Sequence, residues 1–183
     1  MISITQKTLQ DLEFNTVLET IASRCNTDIG EAKALAITPF KNKEELLINL
    51  KQTSEYLSSF SNNNAIPNHG FENINYELKF LAIEDSFLEV GSFKKISNLS
   101  ETAITLIQFL KKFEDYYPNL YQKTSQIDIV KLILQRIDEV VDKFGIIKDN
   151  ASPDLIDIRR NINLVRGKIN QSFGMALSQY NSL

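Results

Sequence analysis

The chain has 183 residues, 43% of them hydrophobic and 23% charged, with a formal net charge of −3; that composition builds one large or two small globular units and excludes disorder as the main state. A single Cys and a single His exclude an internal disulfide framework and a nitrogen and sulfur set for structural zinc, and they fit a cytoplasmic compartment. The longest apolar run, residues 103–110, is broken by Thr105 and Gln108 and is far too short to span a bilayer, and residues 1–7 lack the features of a secretory signal, so no membrane partner is expected.

The charge is unevenly spread. Residues 1–90 carry 7 basic against 13 acidic side chains, a net of −6, whereas residues 91–183 carry 13 against 10, a net of +3. Any polyanion contact should therefore favour the second half.

With 6 Gly and 4 Pro there are few breakers, and the apolar residues recur at three and four, which is a helical pattern. Asn15 is placed to cap a first helix, with Phe14 before it and Val17, Leu18, Ile21 and Ala22 on one face. Gly30 and Pro39 punctuate short pieces, and a helix is predicted over about 42–60, ahead of a polar loop through Asn62 to Gly70. Another begins near Asn73 with Ile74, Leu78 and Leu81; Phe87, Leu88 and Val90 form a short apolar link, in which Phe87 reads as core. Residues 92–113 give a long helix with Ile96, Leu99, Leu106, Leu110 and Phe113 on one stripe, ended by Tyr116-Tyr117-Pro118. A helix over about 127–138 follows. Val140-Val141 and Ile146-Ile147 around Gly145 predict a small β-hairpin.

Ser152-Pro153-Asp154 then supplies an N-cap, a proline at the first helical position and a carboxylate at the positive end of the dipole. Leu155, Ile158, Ile162, Val165, Ile169 and Phe173 follow at spacings of 3, 4, 3, 4 and 4 with no stop signal before Leu183. The expectation is a long arm or coiled-coil helix, cut inside a longer one. The fold expected is thus mainly α: a helical core over 1–139, a hairpin and cap over 140–152, and a lever helix over 153–183.

The segment Phe144-Gly145-Ile146-Ile147-Lys148-Asp149-Asn150-Ala151-Ser152-Pro153-Asp154-Leu155-Ile156-Asp157-Ile158-Arg159 resembles a motif of the MutS superfamily at the entry to its long lever helices. It is most similar to the second bacterial MutS branch, whose full-length members carry a C-terminal Smr nuclease domain. Leu12-Glu13-Phe14 with Val17, then Gly30, Pro39, Pro67, Asn73-Ile74, Leu78 and Leu88 also fall where that branch places comparable residues. The middle, residues 91–140, agrees only in apolar pattern.

The resemblance implies a non-catalytic core and lever module of a DNA-binding ATPase related to mismatch repair, acting as a homodimer on branched DNA or on ribosomes and their RNA. It also implies that ATP, magnesium and the nicking activity belong to other domains. The residues agree to this extent: no Gly-x-x-x-x-Gly-Lys-Ser/Thr occurs anywhere in the chain.

Other candidates read as structural. Phe87-Leu88-Glu89 spells the Phe-x-Glu of mismatch readers, but the second branch lacks that domain. Glu44-Glu45, Glu84-Asp85, Glu114-Asp115 and Asp138-Glu139 are adjacent pairs, which point apart on a helix. With His69 as the sole imidazole no nucleophile, base and orienter assemble, so no catalytic residue is assigned; Cys25 reads as a small buried residue. The nucleic-acid-binding candidates are Arg159, Arg160, Arg166 and Lys168, cations on a rigid helix. The competing reading is a stand-alone scaffold whose Leu155 to Phe173 stripe forms an intermolecular coiled coil flanked by these charges.

Overall fold

A computed structural model of the chain describes residues 4–180, and among these it is mainly helical, with nine α-helices and no strand. Residues 181–183, part of the expected lever, lie outside the described residues, as do residues 1–3.

The N-terminal end holds α1 (Gln6–Asp11), α2 (Phe14–Ala22) and α3 (Asp28–Leu35), packed in that order on one another. Asn15 is not the cap expected of it. Thr5 caps α1 by accepting from the Thr8 N–H at 3.2 Å, and the chain turns through Glu13 in the left-handed region (φ 50°), so helical geometry already begins at Phe14 and Asn15 falls inside α2. Leu18 and Ala22 are buried there, whereas Val17 and Ile21 stay exposed.

Asn42 begins α4 (Lys43–Ser59) as predicted, its Oδ1 accepting from the Glu45 N–H at 2.7 Å. Beyond the polar loop come α5 (Asn75–Leu81) and α6 (Val90–Lys112). The sequence at Tyr117-Pro118 is a start as well as a stop. Pro118, which lacks the N–H that a first turn leaves unpaired, opens α7 (Pro118–Thr124). The predicted helix over 127–138 is shifted to α8 (Lys131–Val140), because Val130 keeps extended geometry.

Two centres hold the middle of the chain. Ile96, Ile137 and Val141 join α6 to the end of α8, with Ile74, Leu88, Val90 and Phe93 around them. Tyr117 is completely buried, its ring stacked 5.9 Å from Phe109 and its hydroxyl donating to the Asn64 carbonyl at 2.6 Å. Beside it Glu55 of α4 acts as a cap for α7: Oε1 accepts from the Asn119 N–H at 3.0 Å and Oε2 from the Leu120 N–H at 2.9 Å. Glu77 of α5 is buried, with Lys95 Nζ 3.4 Å from Oε1, while Oε2 has no hydrogen-bond partner.

The predicted hairpin does not form as a pair of strands. What remains is one isolated antiparallel bridge, Val141 to Ile147. The Asp142 carboxylate accepts from both the Phe144 and the Ile146 N–H at 2.9 Å, which closes the turn tightly, and α8 already claims Val140 on one side. There is no length of backbone left for a ladder.

The last helix, α9 (Pro153–Tyr180), is 28 residues long, about 42 Å at 1.5 Å per residue. It packs along none of the other helices, and every described residue beyond Arg159 is exposed. The chain presents 14748 Å² to solvent, with exposed large hydrophobics along its length, Leu12, Leu57 and Phe144 as well as Phe173, where a compact monomer of 20.9 kDa would show about 9,000 Å².

Candidate nucleic-acid interface

The base of α9 is assembled from the turn that precedes it. The Val141 N–H donates to the Ile137 carbonyl as the last bond of α8, and the Lys148 N–H donates to the Val140 carbonyl, both at 2.8 Å. The Asp142 N–H donates to the Ile146 carbonyl, also at 2.8 Å. Gly145 sits at φ 79°, a conformation that a side chain would strain, and the Lys94 side chain lies 3.6 Å from where its Cβ would be. Lys148 Nζ donates to the Asp138 carbonyl. Val141 is itself in the core, so the turn is held to buried structure by its first residue.

The chain then enters α9 as the cap signal predicts. Ser152 Oγ accepts from the Leu155 N–H at 3.2 Å, and the Ser152 carbonyl accepts from the Ile156 N–H at 3.1 Å. From inside the second turn Arg159 reaches back. Its guanidinium pairs with the Asp149 carboxylate and donates to the Ile147 carbonyl at 3.2 Å. One side chain thereby ties the helix to the turn at two points.

The four predicted cations are not brought to a single face. Arg159 and Arg166, seven residues apart, differ by about 20° around the helix and lie on the side of the apolar stripe. Arg166 borders the patch of Ile158, Asn161, Ile162 and Val165. Arg160 stands about 180° from Ile169, whereas Lys168, about 80° from Arg160, is about 60° from Val165 and borders the other edge of the stripe. Arg160 Nη1 lies 3.7 Å from Asp157 Oδ1, and both side chains are largely exposed, so the pair holds the cation weakly. Lys168 is exposed and makes no ion pair among the described residues. Arg159 alone is committed to a structural contact, which sequence spacing could not show, because Asp149 lies outside the helix.

Several other readings meet their geometry here. Phe87 is 82% exposed rather than core; it precedes α6, on the rim of a cleft with Tyr76 and Phe80, where apolar character did not mean burial. Cys25 is half-buried and free, its Sγ 3.5 Å from the Ile21 carbonyl. His69 is held in its loop by Nδ1 donating to the Pro67 carbonyl at 3.0 Å, with Tyr56 Oη 3.4 Å from Nε2. Among the described residues no group of three His, Cys, Asp or Glu converges to hold a metal. A nucleoside triphosphate does not fit the entry to α9 either. Pro153 offers no N–H there and Asp154 would face the phosphates.

No family model matches the chain. It is similar to the Endonuclease MutS2 of Alkaliphilus oremlandii, with 28% identity over 180 residues that take in 95% of this chain and 23% of that protein. The Endonuclease MutS2 of Pelotomaculum thermopropionicum is 24% identical over 91% of this chain and 21% of its own length, and that of Staphylococcus aureus (strain MRSA252) is 26% identical over 91% and 22%. The chain is MutS2-like. The resemblance read from the turn and its helix extends over nine-tenths of the sequence. This MutS2-like chain spans less than a quarter of the length of these curated relatives. No helix among its described residues is long and apolar enough to cross a membrane.

Proposed function

We propose that the chain is the non-catalytic core and lever region of a MutS2-like, nucleic-acid-binding ATPase. Residues 1–139 form the core, 140–152 the turn and cap, and 153–183 the lever. The observation that carries this reading is the double tie of Arg159 to Asp149 and Ile147, which joins a long unpacked helix to a turn rooted in the core through Val141. A rigid helix of this length converts a small rotation at its base into a large displacement at its tip.

In the whole protein, ATP and magnesium are held outside residues 1–183, a Smr-type domain supplies any nicking of nucleic acid, and the homodimer acts on branched DNA or ribosomal RNA. The part of this chain that meets the nucleic acid is the stretch of α9 bearing Arg160 and Lys168, both exposed; Arg160 has only a long pair with Asp157 at 3.7 Å to exchange for a phosphate, and Lys168 makes no ion pair among the described residues.

The test is binding of the purified chain to duplex DNA, branched DNA and structured RNA across a salt series. Affinity for at least one of them that falls as salt rises supports the reading. Absence of binding to all three at low salt removes the nucleic-acid role from this chain.

A further inference from the structure

A cavity of about 380 Å³, in the size range of small-ligand sites, opens where α6 meets the end of α8 and the turn that leads to α9. Lys94, Ser97 and Glu101 share one face of α6 and form one wall. The end of α8 brings Ile137 and Asp138, and the turn brings Asp142, Lys143 and Lys148.

Ser97 sets this cavity apart. Only 6% of its surface is exposed, and it lines the cavity with a hydroxyl that makes no hydrogen bond among the described residues. Helical serines ordinarily return that hydroxyl to a carbonyl one turn back, as the buried Ser59 of α4 does by donating to the Tyr56 carbonyl at 2.7 Å. A buried hydroxyl left unpaired costs stability, which a ligand would recover.

The charges around Ser97 sort by depth. Lys94, Lys148 and Asp142 are half-buried, whereas Lys143, Glu101 and Asp138 are exposed, where solvent screens them. The Asp142 carboxylate already accepts from the Phe144 and Ile146 N–H. Neither half-buried lysine forms an ion pair among the described residues, and Lys148 donates only to the Asp138 carbonyl. The last carbonyls of α8 do not oppose an anion, since those of Ile137, Asp138 and Val140 are all bonded. The groups left unanswered inside are donors: two ammonium groups and a hydroxyl.

We infer that this cavity is a phosphate site, in which Lys94 Nζ, Lys148 Nζ and Ser97 Oγ hold the oxygens of a phosphate monoester or of free phosphate. A monoester offers three free oxygens to three donors, whereas a phosphodiester inside a strand offers two and carries a sugar on either side. Bound there, the phosphate bridges α6 of the core to the turn that carries α9. The inference does not depend on the nucleic-acid contacts proposed for α9.

Calorimetric titration of the intact chain with inorganic phosphate, at constant ionic strength, tests it. Saturable binding is expected, weakened about threefold or more by Ser97→Ala and about tenfold or more by Lys94→Met with Lys148→Met. Ser97→Ala removes a hydroxyl that bonds to nothing in the chain, so its unfolding midpoint should equal or exceed the parent's. Competition then gives the source of the phosphate. Displacement by a 5′-phosphorylated oligonucleotide but not by its 5′-hydroxyl twin supports the end of a nucleic acid, and displacement by a nucleoside monophosphate alone supports a free nucleotide. No saturable binding of phosphate overturns the inference, as does binding undiminished in both variants. A chain that binds nucleic acid but not phosphate keeps the function proposed above and loses this site.

Discussion

Asp149 and Arg159 stand ten residues apart, one before the cap of α9 and one inside its second turn, and their side chains pair across the start of the helix. Because Arg159 also donates to the Ile147 carbonyl, and Ile147 bridges to the buried Val141, the pair continues the core into a helix that packs along none of the others. The Asp149 side chain is 82% exposed, so the pair's contribution to global stability is small, about 0.2–1 kcal/mol. Its consequence is geometric.

Arg159→Ala is therefore expected to leave the unfolding midpoint nearly unchanged while broadening the aim of α9. With Cys25 replaced by Ser and spin labels at Asn98 on α6 and Ser172 on α9, the distance distribution should be narrow in the parent chain and clearly wider in the variant. A distribution of unchanged width would show that something other than Arg159 orients the helix.

Glu55 holds the first turn of α7 through both carboxylate oxygens. Replacing it with Ala leaves the Asn119 and Leu120 N–H groups without their charged acceptor, and the cost expected is about 1.5–3 kcal/mol in urea unfolding. Stability equal to the parent's would mean that water replaces the carboxylate at no cost.

Tyr117→Phe removes one hydroxyl, whose bond to the Asn64 carbonyl ties the polar loop to α7. The loss expected is about 1 kcal/mol, against about 3–5 kcal/mol for Tyr117→Ala, which empties a completely buried site. Thermal unfolding of the two variants separates the hydroxyl from the ring.

Lys95 is the only cation within salt-bridge distance of the buried Glu77 among the described residues. Lys95→Met should destabilise the chain, by about 1–3 kcal/mol given that the lysine is itself 39% exposed. Adding Glu77→Met should restore most of that loss, because the buried carboxylate no longer lacks a partner. A double variant no more stable than the single one would contradict this account of the pair.

What the sequence made legible was local. Ser152 caps the helix it was expected to cap, because a side chain that accepts from the third N–H onward acts within its own turn, and the helix expected from about Asn42 begins there, with Asn42 as its cap. The long stripe of α9 was legible as a period, but its lack of cover was not, since period states which residues share a face and not what that face meets. Phe87 shows the same limit from the other side, an apolar residue in an apolar link that the fold leaves at the surface. Between Val140 and Lys148 two β-branched pairs around Gly145 promised a hairpin, and the competition of the Asp142 carboxylate for two backbone N–H groups reduced it to one bridge. The separation of Arg159 from the other three cations needed the position of Asp149, which only the folded turn supplies.

The measurement that bears most directly on the account is nucleic-acid binding by the chain carrying Arg160→Glu with Lys168→Glu, compared over a salt series with the parent and with Ile162→Ser, Ile169→Ser. The account predicts salt-sensitive binding by the parent, its loss in the charge variant and its retention in the serine variant. Binding that survives the loss of both cations, or that disappears with the apolar stripe alone, would contradict the assignment of the phosphate contacts to Arg160 and Lys168.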